Sequence, residues 1–134
     1  MDTVVGRAEI VLWVRHADGR WSGRAVWVVG VDGKAYVRSA FGRRSAWYRR
    51  VLRGAETEVG AEAGGARVSV ALEAVDDPEL VRRVSGAYRA KYGLSWPGPV
   101  ESMNGPGAAA TTMRLGLSTG QALADPGQVP ELSA

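Results

Sequence analysis

The side chains best suited to chemistry in this sequence are arginines. From Arg38 to Arg53 there are six of them (38, 43, 44, 49, 50 and 53) and no acid. A guanidinium is a planar fork of N–H donors that matches a phosphate or a carboxylate. Ser39 and Ser45 lie in the same stretch and add hydroxyls. Ser45 also suits the N-cap of a short helix running to about Arg53 and closed by Gly54. A helix start contributes unpaired N–H groups to an anion. Arg38, Ser39, Arg43, Arg44 and Ser45 are therefore expected anion contacts, against the plainer reading of a solvated basic face. Arg53, further along, complements the helix dipole and is not expected to touch a ligand.

A second basic stretch is Gly19-Arg20-Trp21-Ser22-Gly23-Arg24. Its glycines would let a backbone approach a ligand closely, and Arg20, Ser22 and Arg24 would supply donors. It reads as a loop converging on the same rim as Arg38 to Ser45. Candidates for proton chemistry are His16, the only histidine, and Tyr36, Tyr48 and Glu101. With no cysteine and one histidine, the sequence excludes disulfides, thiolate metal sites and a His-rich metal centre, and no metal is expected. Of five tryptophans, Trp13 and Trp27 read as core. Trp47 reads as core on one side and pocket wall on the other. Trp21 and Trp96 read as loop residues covering a ligand or a partner subunit.

The elements that must position these groups follow from pattern. Ala8 to His16 is an apolar strand ending at the Ala17-Asp18-Gly19 turn, and Arg24 to Val31 reads as one second strand. Asp32-Gly33 predicts a type I′ hairpin, with Lys34 to Ala40 returning. After the helix from Ser45, strands are expected over Glu56 to Ala61 and Ala66 to Ala74. Asp77-Pro78 then opens a helix with Leu80, Val84, Ala87, Tyr88 and Tyr92 on one face and Gly93 at its end. Leu94 to Gly107, with its Pro and Gly pairs, reads as a loop, and Thr111 to Leu117 as a last strand. Short connections make the sheet mostly antiparallel. A small, mainly β (α+β) barrel with two or three rim helices results, as a single domain over 1–117 with a poorly ordered tail over 118–134.

Composition sets the bounds. The 134 residues allow one core. They are 46% hydrophobic and 23% charged, as in a soluble globular protein, and no apolar run could span a bilayer. Asp2, Arg7 and Glu9 argue against a signal peptide, so a cytoplasmic protein is expected. The net charge is only +3, and seven acids follow the arginine block between Gly54 and Val81 against Arg67 alone. That pattern suits a local anion site better than a nucleic-acid track.

Taken together, Val31-Asp32-Gly33-Lys34-Ala35-Tyr36-Val37-Arg38-Ser39, Gly42, Ala46-Trp47-Tyr48-Arg49, Ala87 to Tyr92 and Thr111-Thr112-Met113-Arg114-Leu115 resemble a bacterial family catalogued as domain of unknown function 2255. The resemblance runs from about Glu9 to Leu117. That family looks like a distant member of the flavin-binding split-barrel group, which includes pyridoxamine-phosphate-oxidase-like proteins and deazaflavin-dependent nitroreductases. Ser22-Gly23-Arg24 and Ala46-Trp47-Tyr48 match the nitroreductase arrangement, although Val26-Trp27-Val28 stands where those proteins usually have Pro-Leu. The resemblance implies a split β-barrel and a homodimer. It also implies cofactor contacts at Arg20, Ser22, Arg24, Arg38, Ser39, Arg43, Arg44, Ser45 and Trp47.

Three functions follow. The first is an FMN- or deazaflavin-dependent oxidoreductase acting on a small organic metabolite, where the cofactor supplies the chemistry and no protein acid or base is obligatory. The second is a cofactor-free cyclase, isomerase or lyase of the same fold, as in secondary metabolism, using His16, Tyr36, Arg38, Tyr48 or Glu101. The third, ranked last, is a non-enzymatic binding module.

Overall fold

A computed structural model describes residues 5 to 117. The tail expected over 118–134 lies outside the described residues. Strand β1 (Ile10–Arg15) alternates as an amphipathic strand should, with Ile10, Leu12 and Val14 buried inside the sheet. It turns back at Gly19, whose φ is +91°, into β2 (Trp21–Val26). Trp21 to Arg24 is thus strand and not the expected loop. The register explains why. Gly23 stands opposite Trp13, and a Cβ there would come within 2.8 Å of the Trp13 ring. The glycine makes room for a cross-strand indole.

The expected strand Arg24 to Val31 is two strands. β2 ends at Val26, Trp27 leaves the ladder, and β3 (Val28–Val31) begins. β2 pairs with β1, whereas β3 pairs with β4 (Lys34–Val37). The hairpin between β3 and β4 has positive φ at Asp32 (53°) and Gly33 (77°), the type I′ signature expected of Asp-Gly. With β5 (Thr57–Gly60), β6 (Arg67–Ala74) and β7 (Met113–Leu117), the antiparallel sheet has the order β2-β1-β5-β6-β7-β4-β3. β2 and β3 are its two edges, yet a single residue joins them. The sheet must therefore curl until its edges meet at Trp27. It is a barrel pinned at one corner and split beyond it.

Two cores hold this shape. Inside the barrel, Ile10, Leu12, Val14, Val37, Val59, Val70 and Leu115 pack with Trp47 and Tyr48 of helix α1 (Ala46–Leu52). Outside, Val29, Val31 and Tyr36 pack against α2 (Pro78–Tyr92) through Val84, Tyr88 and Tyr92, the stripe read from the sequence. Each such burial contributes about 1.5–3 kcal/mol. Asp77 caps α2 by accepting the Glu79 N–H at 3.3 Å, with Pro78 in the first turn. The stretch expected as a loop, Leu94 to Gly107, holds two short helices, α3 (Pro97–Met103) and α4 (Pro106–Ala109). Their prolines occupy the first turn, where the ring's fixed φ starts a helix instead of breaking one. Val100, Met103 and Ala108 seal the outer core.

Two phenols in that core predict alkaline instability. The Tyr92 hydroxyl donates to the Ala8 carbonyl at 2.6 Å, and burial pushes its pKa from 10.0 up to about 12. Burial pushes Tyr88 up as well. A phenol whose proton is held more tightly in the folded state stabilises the fold below its unfolded pKa and loses that contribution as pH rises through the folded one. Thermal melts should show stability falling from about pH 10 to about 12, with a shallower fall in Tyr92→Phe. An identical slope in the variant would contradict the assignment.

Candidate functional site

Where the barrel is split, a cleft of about 1010 Å3 opens. Five pieces of chain form it: Glu9 just before β1, the β2–β3 corner from Arg24 to Trp27, the segment after β4 from Arg38 to Phe41, the start of α1 with Arg44 before it, and one face of α3. Six of the residues expected to contact a ligand meet here: Arg24, Arg38, Ser39, Arg44, Ser45 and Trp47.

Arg38 is only 1% exposed. Its Nε donates to Thr112 Oγ1 at 2.8 Å, and Nη2 donates to the Val81 carbonyl at 2.9 Å. Nη1 donates to Ser85 Oγ and Asn104 Oδ1, both at 3.0 Å, and to the Met103 carbonyl at 3.2 Å. The guanidinium also lies 5.4 Å from the centre of the Tyr88 ring. It thus ties the end of β4 to α2, to the end of α3 and to the approach to β7. Every acceptor is neutral, and no carboxylate pairs with it among the described residues. Burial of this charge pulls its pKa down. Arg38 is the electropositive floor of the cleft, fixed by the protein itself.

Ser39 follows it and is also 1% exposed. Its N–H donates to Thr111 Oγ1 at 2.8 Å, but its own Oγ is buried and has no partner. A buried hydroxyl left unpaired is costly, and such groups mark positions where a ligand or water completes the bonding. Ser45 stands at the N-cap of α1, as expected, yet its side chain makes no capping bond. Arg24 and Arg44 are exposed and form no ion pair among the described residues. Trp47 is buried, packs edge-on against Tyr48 and closes the inner wall. Phe41, 79% exposed, stands at the lip. The turn Gly42–Arg44 that carries Arg44 starts with Gly42 at φ +66°, backed by the Gly107 carbonyl 3.3 Å from where a Cβ would sit.

The other expected residues lie elsewhere. Arg20 is exposed and paired with Asp18 at 2.7 Å, which holds that carboxyl below its usual range. Ser22 is hydrogen-bonded to His16 Nε2 at the turn end of the β1–β2 hairpin. Arg43 is exposed and does not line the cleft. Tyr36 is buried under α2, and Tyr48 inside the barrel. Glu101 is exposed and lies 3.3 Å from Arg89. Sequence reasoning did not single out Trp27 or Phe41 as site residues. Trp27 and Glu9 also line a second hollow of about 640 Å3, completed by Gly6 to Ala8 and Trp96. Among the described residues no group of acids and histidine could hold a metal, and no helix is long and apolar enough to cross a membrane.

Residues 1–115 match the model of a family described as an uncharacterized protein conserved in bacteria, DUF2255. The chain belongs to this family. A search among curated proteins finds no match for this DUF2255 chain. Among solved structures it is similar to a proposed pyridoxamine 5′-phosphate oxidase from Lactobacillus delbrueckii, at 16% identity and TM-score 0.55, over 87% of this chain and 85% of that one. It is also similar to HutZ, the heme storage protein of Vibrio cholerae, at 16% identity and TM-score 0.59, over 85% and 84%. Against Campylobacter jejuni ChuZ the identity is 10% and the TM-score 0.62, and this chain spans 48% of that protein's length. These likenesses establish the fold: the DUF2255 chain is a split β-barrel of the pyridoxamine-phosphate-oxidase type.

Proposed function

We propose that the DUF2255 cleft holds FMN or the deazaflavin coenzyme and that the protein is an oxidoreductase acting on a small organic metabolite. The observation that carries this reading is a cleft lined by Arg24, Arg38 and Arg44, none of which has a carboxylate partner among the described residues, with Ser39 in the same lining. That donor set fits a phosphate: Arg24 and Arg44 close on it with charge-assisted bonds, Ser39 Oγ donates from below, and buried Arg38 adds a fixed positive field. Trp27 and Trp47 offer flat walls and exclude water. When bound, the coenzyme supplies the hydride chemistry, so the site needs no protein acid or base. A homodimer in the cytoplasm, its second copy covering the Phe41 lip, completes the reading. Cofactor-free chemistry would draw on Glu9, the carboxylate in the cleft lining among the described residues.

Ser39→Ala separates ligand contact from fold. Removing an unpaired buried hydroxyl should leave the stability of the ligand-free protein unchanged or raised by up to about 1 kcal/mol, while FMN affinity falls about five- to tenfold. Urea melts and an FMN titration of the same preparation read both. Lower stability with unchanged affinity would give the hydroxyl a purely structural role.

A further inference from the structure

The second hollow adjoins the cleft and shares Glu9 and Trp27 with it, but its character differs. Trp27 is held flat against Tyr92, 4.1 Å between ring centres and 9° between planes. Trp96 stands 5.8 Å from Trp27 and is tilted 44° to it, so the two indoles meet at an angle and form an aromatic corner. Trp96 is 47% exposed. Gly6, Arg7 and Ala8 complete the lining. This is a built wall and not a loose segment: Lys91 Nζ donates to the carbonyls of Val5 at 2.7 Å, Arg7 at 2.6 Å and Val28 at 2.5 Å, and Tyr92 holds Ala8. The Lys91 charge is engaged there. Glu9 forms no ion pair among the described residues, and its carboxylate is close enough to Tyr92 to help raise that phenol's pKa.

We infer that this hollow is a binding bay for a planar, fused-ring organic compound carrying an O–H or N–H donor. The ring packs against this aromatic corner, chiefly on the half-exposed Trp96, and Glu9 accepts the donor. A volume of about 640 Å3 lies within the usual range for small-molecule sites. Here one arginine, Arg7, accompanies Glu9, whereas the cleft gathers Arg24, Arg38 and Arg44. Because Glu9 and Trp27 form the common border, a ring here lies beside whatever occupies the cleft. Only its description as the substrate's bay rests on the oxidoreductase reading; the binding itself does not.

Calorimetry on the whole chain tests this with 2-naphthol as probe and 2-methoxynaphthalene as the donor-free control. One equivalent of 2-naphthol should bind, and Trp96→Ala should weaken it about tenfold. Glu9→Gln should weaken 2-naphthol about fivefold and leave the methoxy compound unchanged. Trp96 does not line the cleft, so FMN affinity should survive Trp96→Ala. No binding heat at about 1 mM 2-naphthol, equal affinity in Trp96→Ala, or equal affinity for the methoxy compound would overturn the bay. Binding of 2-naphthol with these dependences but without any FMN binding would retain the bay and remove the flavin reading. FMN binding without 2-naphthol binding would do the reverse.

Discussion

Arg38→Met should cost about 2–4 kcal/mol of stability, because five neutral acceptors lose their donor, offset in part by the removal of a buried unpaired charge. The substitution fills much of the same space but withdraws all the donors that serve Thr112, Ser85, Asn104 and the carbonyls of Met103 and Val81. A domain of this size is stable by only about 5–15 kcal/mol, so the loss removes a large share of the total. Arg38→Lys should recover little, because one ammonium cannot reach acceptors spread over α2, α3 and the approach to β7. Urea unfolding with unchanged m-value reads the loss. A change below about 1 kcal/mol would show that these bonds do not hold the split end of the barrel together.

The second large effect falls on binding and leaves the fold intact. Arg24 and Arg44 are exposed, and no protein partner depends on them among the described residues. Arg24→Ala and Arg44→Ala should each weaken an anionic ligand by about 1.5–3 kcal/mol, the value of a charged hydrogen bond. That is about 10- to 150-fold in Kd. Melting temperature should barely change. Wild-type affinity should fall with added salt, and less steeply in the double variant. Arg49→Ala, in the last turn of α1 and outside the cleft, is the control. Equal affinity in Arg24→Ala, Arg44→Ala and Arg49→Ala would return the arginine block to a solvated face.

Locally encoded features were legible in the sequence. The Asp32-Gly33 turn depends on two backbone angles, and the Leu80-to-Tyr92 stripe on one helical period. Features depending on distant partners were not. The run Val26-Trp27-Val28-Val29 is apolar throughout and cannot say that its pairing partner changes from β1 to β4 at Trp27. Arg38 reads as one more cation of a basic block, because its acceptors lie 43 to 74 residues away in sequence. Pro97 and Pro106 read as breakers unless the helices they start are already in view. The site was legible where the strand-end and helix-start signals coincide, at Ser39, Arg44, Ser45 and Trp47. Tyr36 and Tyr48 were drawn into the candidate set by their chemistry alone, and packing places them in the two cores.

The decisive measurement is a visible-absorption titration of the purified protein with FMN and with the deazaflavin coenzyme. One equivalent of either should bind in the micromolar range, with the absorption band shifted as the ring leaves water, and the shift should be lost in the Arg24→Ala/Arg44→Ala double variant. A colourless protein that binds neither coenzyme would contradict the assignment of the cleft as a flavin site.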